Sequence, residues 1–200
     1  MINMSRTSHY PLHRASLAIA RDSRSLSWLL QASCVVAASL FVALCAHVSV
    51  SLPFTPVPFT LQPFAVILVG MLLGPSAGFA AMALYLAEGA AGLPVFTPAG
   101  LPGLARLVGP TAGYLFAYPV AAAIAGAVPT WLASRRFVAY ALTGTAAMAV
   151  IYLSGAAWFS IVTHLPFAAT LAGSVLPFAA TDAAKILIAS GMASALSHRS

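Results

Sequence analysis

The sequence predicts an all-α integral membrane protein of six transmembrane helices, with both termini cytoplasmic and Pro/Gly-rich extracytoplasmic loops. Three observations predict it. Of the 200 residues, 61% are hydrophobic and 6% charged, at a mean hydropathy of +0.96; an ordinary soluble domain carries about a quarter charged residues. Disorder, collagen and coiled coil need polar, Gly-repeating or charge-laced chains and are excluded as well. Second, Lys, Arg, Asp and Glu are absent from residues 25–87, 107–134 and 137–181, and one span needs roughly 20 apolar residues. Third, these stretches do not alternate apolar and polar residues as barrel strands do. Helices are then the remaining way to satisfy the backbone in lipid.

Residues 1–25 are polar and Ser/Arg-rich and read as a flexible cytoplasmic tail. A secretory signal is the competing reading, but its apolar region is about 7–15 residues, and the first helix, 26–46, is longer. Pro53, Pro56 and Pro58 forbid a regular helix over 47–60, because proline lacks the amide donor and restrains its predecessor. Helix two spans 61–73 and stops at Gly74-Pro75; helix three spans 77–91. Both are short for a full span and are expected to tilt or to be buried among neighbours. A second Gly/Pro loop covers 92–108. Helix four covers 109–132, with Pro119 a candidate kink. Arg135 and Arg136 follow, then helix five at 137–162, a third loop at 164–173 and helix six at 174–196. The six helices make one substrate-binding domain over 26–196, and 197–200 are a cytoplasmic end.

An even number of spans puts both termini on one side. Arg6, Arg14, Arg21, Arg24, the Arg135-Arg136 pair and Arg199 then share that side, which the positive-inside rule assigns to the cytoplasm. The pI of about 9.9 therefore reflects topology, and nucleic acid is excluded as a partner. The three long loops fall outside, which suggests a site that opens outward beneath them.

Four ionisable residues sit in or beside the apolar part: Glu88, Arg106, Asp182 and Lys185. Ionised groups at mid-bilayer cost at least about 2.5–3.5 kcal/mol and commonly mark function. Asp182 and Lys185, at i and i+3, share one face of helix six. They either neutralise each other or offer fixed hydrogen-bonding groups to a polar ligand; a buried ion pair rarely improves on apolar packing, which favours the ligand. Glu88 and Arg106 lie at outer helix ends, where solvation or pairing across loops is the alternative. Tyr85, one turn before Glu88, shares its face, and Thr60 and Gln62 open helix two at the same depth. Phe54, Phe59, Phe96, Tyr114 and Trp158 either line the site or form an interfacial aromatic belt, and His47 and His164 read as interfacial.

Cys34 and Cys45 are about 16 Å apart along one helix, too far to bridge, and no metal spacing occurs. Ser33/Ala37 and Ser39/Ala43, four apart, allow close helix approach, either inside the bundle or at a docking face. The chain has no Gly-x-x-x-x-Gly-Lys-Ser/Thr, His-Glu-x-x-His or Gly-x-Ser-x-Gly segment, hence no ATPase of its own and no encouragement for hydrolysis. Nor do its halves show an inverted repeat. A membrane binder, not an enzyme, is the deduction.

Pro-Phe-Thr-Pro-Val-Pro-Phe-Thr-Leu-Gln-Pro-Phe (53–64), Gly-Met-Leu-Leu-Gly-Pro (70–75), Leu-Tyr-Leu-Ala-Glu-Gly-Ala-Ala-Gly-Leu-Pro-Val-Phe (84–96), Gly-Pro-Thr-Ala-Gly-Tyr-Leu (109–115) and Asp-Ala-Ala-Lys (182–185) resemble the BioY family. Its members are the biotin-specific substrate-binding (S) components of energy-coupling-factor (ECF) transporters. The resemblance covers roughly residues 26–196. It departs at Ala112, where the family usually reads Gly, and in helix one, which lacks a clean Ala-x-x-x-Ala docking pair. It implies a six-helix bundle, multi-pass in the bacterial cytoplasmic (inner) membrane, holding biotin near the outer surface. It implies as partners a transmembrane coupling subunit and two ATPase subunits, besides membrane lipid; ATP is hydrolysed only by those subunits, and no cofactor is expected. For the ligand, Asp182 would accept from a ureido N–H and Lys185 donate to the ureido oxygen. Tyr85 and Glu88 would flank the ring, Phe96 and other aromatics enclose it, and Gln62 lie alongside. Arg106 would meet the valerate carboxylate. The rival readings are a self-sufficient proton-coupled carrier using Glu88 or Asp182, an intramembrane acid/base enzyme, and a structural subunit.

Overall fold

Proline and glycine punctuate a chain that is otherwise helical from Pro11 to Ser197. The structure, a computed structural model, describes residues 11–53, 55, 57–98 and 100–197, without the side chains of 11–26, 130 and 133. Arg6, Phe54, Pro56 and Arg199 lie outside the described residues. Residues 1–34 and 35–200 are two separate compact units. In the first, the described residues belong to helix α1 (Pro11–His47), which begins inside the stretch expected to be a tail.

The second unit holds the rest. An antiparallel pair, β1 (Ser49–Val50) and β2 (Phe59–Thr60), closes the proline-rich loop, with Ser49 opposite Thr60. Helix α2 (Gln62–Ala90) is broken at Gly74, whose φ of 80° and ψ of 177° are not helical; a positive φ suits glycine because it has no Cβ. Pro75 then supplies no amide donor. The break is a reversal. A straight helix would hold Gln62 and Tyr85 about 35 Å apart, yet Gln62 Nε2 donates to Tyr85 Oη at 2.7 Å. The two arms, 62–73 and 75–90, are thus the expected helices two and three, folded as a hairpin. Residues 65–71 are buried on every face, which explains an apolar run with no 3.6-residue period.

Helix α3 (Ala112–Gly126) packs on both arms through small residues. A Cβ on Gly70 would overlap the Ala122 carbonyl oxygen, and one on Gly126 would lie 2.5 Å from that of Gly70. The expected helix four, 109–132, is corrected to these bounds: Ala127 leaves helical dihedrals ahead of Pro129, and Thr130–Arg135 form a 3-10 turn. Helix α4 (Arg136–Thr163) ends at His164 in the left-handed conformation. The expected loop 164–173 contains instead a short Ala-rich helix, α5 (Phe167–Ser174), started by Pro166. It is bent by 51° against α6 (Leu176–Ser197).

Residues 27–47 and α4 are each long and apolar enough to cross a membrane, and α5 with α6 qualifies as a broken span. Among the described residues, six helical rods stand where six were expected, with α5 in addition. Arg136 Nη1 donates to the Ser197 carbonyl, which places the arginine pair beside the carboxyl end of α6. The β1/β2 hairpin and the loop 92–111 gather at the opposite end, around Asp182.

Candidate ligand-binding site

The amino-terminal turns of α6 carry Asp182 and Lys185, 4% and 7% exposed. Lys185 Nζ donates to Asp182 Oδ1 at 2.7 Å and to the Thr60 carbonyl at 2.7 Å. It also stands 4.3 Å from the centre of the Phe59 ring, a cation–π arrangement. The second carboxylate oxygen, Oδ2, accepts from Tyr152 Oη of α4 at 2.5 Å. An ion pair removed from water is tolerable only when its remaining hydrogen-bonding capacity is met. Here one tyrosine and one backbone carbonyl meet much of it, and Lys185 thereby ties α6 to β2.

Asp182, Lys185, Tyr152 and Thr60 line a cavity of about 60 Å³. Gln62, Arg106, Thr111, Tyr114 and Tyr118 supply its other polar walls, and Leu115, Ile151 and Phe178 its apolar ones. Tyr114 and Tyr118 are one turn apart on α3 and share a face. Gly155 of α4 makes the seat for Tyr114, because a Cβ there would overlap its ring.

Arg106 comes from a 3-10 turn, Gly103–Leu107, and is 8% exposed. Its Nη2 donates to the Thr97 carbonyl at 3.2 Å. No carboxylate pairs with it among the described residues. Burial pushes its pKa down, but a guanidinium remains cationic at neutral pH. The cavity thus holds a buried cation with four of its five donors free of protein acceptors among the described residues, beside an ion pair whose hydrogen-bonding capacity is only partly met.

Asp182, Lys185, Arg106 and Gln62 are brought together on the cavity wall. Tyr85, Phe96 and Glu88, expected beside the ligand, do not line it. Tyr85 is fully buried behind Gln62; its hydroxyl takes the Gln62 amide and donates to the Val95 carbonyl at 3.0 Å. Phe96 packs edge-on against the Tyr85 ring, with centroids 5.4 Å apart. Glu88 turns toward α1, where Ser39 Oγ donates to its Oε1 at 3.1 Å. Ser39 and Ala43 are buried in the bundle whereas Ser33 and Ala37 are exposed, so the second of the two small-residue pairs serves internal packing. Trp158 donates to the Gly109 carbonyl at 2.9 Å and belongs to the α3/α4 contact. Sequence reasoning missed Tyr118 and Tyr152. The tyrosine pair on α3 was a signal for the first; nothing local marks the second.

The BioY family model matches residues 19–200. This chain belongs to the BioY family. Among BioY proteins, the "Probable biotin transporter BioY" of Pyrococcus horikoshii is 46% identical over 126 residues, 61% of this chain and 71% of that one. The "Biotin transporter BioY" of Thermotoga maritima is 40% identical over 134 residues, 65% and 76% of the two chains. The solved S-component for biotin from an ECF-type ABC transporter superposes with a TM-score of 0.77 over 86% of this chain and 93% of that one, at 24% identity. That likeness is one of fold, and it agrees with a multi-pass membrane bundle for this BioY chain.

Proposed function

We propose that this chain binds biotin at the outer end of the bundle and takes it up as the substrate-binding component of an ECF-type importer. The observation that carries the reading is Arg106: a buried cation without an acid partner among the described residues, in one cavity with the Asp182–Lys185 pair. An uncompensated buried charge is costly, and an anionic ligand supplies what is missing. Biotin fits this polarity. Its valerate carboxylate meets Arg106 in a bidentate pair, and its ureido group exchanges hydrogen bonds with Asp182, Lys185 and the Gln62 amide. Tyr85 acts through Gln62, as a positioning residue. The relatives' names, biotin transporters among them, support the same ligand.

No covalent chemistry is assigned to the chain, and it needs no cofactor of its own. Its membrane is the bacterial cytoplasmic one. A transmembrane coupling subunit and two ATPase subunits supply the energy. The test is ligand binding by the purified protein in detergent, with mass spectrometry of what co-purifies. Biotin should co-purify, and Arg106→Ala should weaken biotin by about 2 kcal/mol or more while weakening its uncharged primary amide much less. Equal losses for acid and amide reject the role of Arg106, and the absence of biotin binding rejects the reading. Uptake into vesicles lacking any ATPase, abolished by an uncoupler, would instead identify a proton-coupled carrier.

A further inference from the structure

Beyond the inner cavity lies a larger one of about 290 Å³. Ser51, Gly100, Leu101 and Gly109 belong to it alone, whereas Pro58, Arg106 and Thr111 line both cavities. Arg106 therefore stands in the wall between them. Gly100 permits that placement: its φ is +104°, and a Cβ on it would overlap Arg106 Nη1. The outer chamber differs in chemistry from the inner one. Among the described residues its walls are hydroxyls, glycine and proline backbone and one leucine, with no acid, and its single charge is the Arg106 guanidinium. A planar guanidinium carries five donors in a fixed fork, and here the described residues give it one acceptor, the Thr97 carbonyl. The group can therefore serve an anion that approaches from the outer chamber as well as one that approaches from the inner cavity.

We propose that the outer chamber is a second subsite, which accepts amide-linked extensions of the ligand's acid tail that bear a carboxylate of their own. The inference rests on the biotin reading, with the ring in the inner cavity and the tail passing Arg106. Forming an amide removes the tail's charge and so forfeits the ion pair. An amino-acid extension restores a carboxylate on the outer side of the same guanidinium, and the chamber gives its flexible chain room and hydroxyl partners. The favoured class is thus the amide between biotin and an amino acid, in preference to neutral alkyl amides of similar length.

The probe is biotin joined through its carboxyl to the side-chain amine of lysine, with biotin butylamide as the uncharged control. Titration into the purified full-length protein should give the lysine conjugate an affinity within about tenfold of biotin's, and the butylamide a weaker one. Ser51→Phe and Gly109→Leu, at positions that line the outer chamber alone, should each lower the affinity for the conjugate by about tenfold or more and that for biotin by less than about threefold. Biotin binding serves as the folding control for each variant, and the wild-type comparison needs no variant at all. Exclusion of the conjugate by the wild-type protein, at more than about a hundredfold weaker than biotin, overturns the proposal, as do variants that lower both ligands alike. If the wild-type protein binds biotin and rejects the conjugate, only the subsite falls. If it binds neither, the biotin reading falls first and takes the subsite with it.

Discussion

The α2/α3 seam and the α4/α6 seam both join apolar helices, and they are held by opposite means. Between α2 and α3 the backbones touch: Gly70, Gly126 and Ala122 leave no room for another carbon. No polar side chain is required, since close packing of small residues is what drives helix association where lipid is as apolar as the helix. Between α4 and α6 a tyrosine hydroxyl, a carboxylate and an ammonium form a chain of hydrogen bonds that ends on the hairpin carbonyl of Thr60. Small residues would close that seam more cheaply. Polar groups that desolvation makes costly call for a reason beyond packing; under the proposed function that reason is ligand recognition, and the two seams are scaffold and site as separate solutions in one bundle.

Four variants sharpen the comparison. The largest effect is expected at the polar seam. Asp182→Leu leaves the Lys185 ammonium buried and uncompensated and should cost about 3–5 kcal/mol, seen as a large fall in Tm in detergent. Asp182→Leu with Lys185→Met removes both charges and should regain most of that stability while biotin binding stays lost. A double variant as unstable as the single one breaks the claim that this pair is kept for recognition. Next comes the small-residue seam. Gly70→Val drives side-chain carbons into the Ala122 carbonyl and should destabilise by about 1–3 kcal/mol or more, with biotin affinity of the folded fraction little changed. A wild-type Tm for this variant would show that α2 and α3 are not packed backbone to backbone. The smallest effect belongs to Glu88→Gln. Its contact is Ser39 on α1, outside the cavity, so stability should move by about 1 kcal/mol or less and biotin affinity hardly at all. A large loss of affinity would return Glu88 to the ligand.

Much of this architecture was legible in the linear chain, and the reasons are local. Charge-free stretches of span length can only be helices in lipid. Pro53, Pro56, Pro58 and Gly74-Pro75 break helices wherever they stand, so the hairpin loop and the α2 reversal could be located from residue type. Asp182 and Lys185 stood out because ionised groups are rare in such surroundings. The short α5 was not legible, because its Ala-rich segment lies between proline-marked ends in what reads equally well as a loop.

The sequence by itself determined the solvent, the number of rods, their breaks and the two charges that needed explaining, because each follows from transfer free energy or from backbone chemistry within a few residues. Only the tertiary structure decided which neighbours those charges have. Tyr152 lies 30 residues from Asp182 and Thr60 lies 125 from Lys185, and no local rule links them. It also turned Glu88 toward α1, set Tyr85 behind Gln62 and left Arg106 between two cavities with no acid partner among the described residues. Those are properties of how the helices rotate against one another, which packing of the whole bundle settles and which an apolar sequence without a marked helical face does not record.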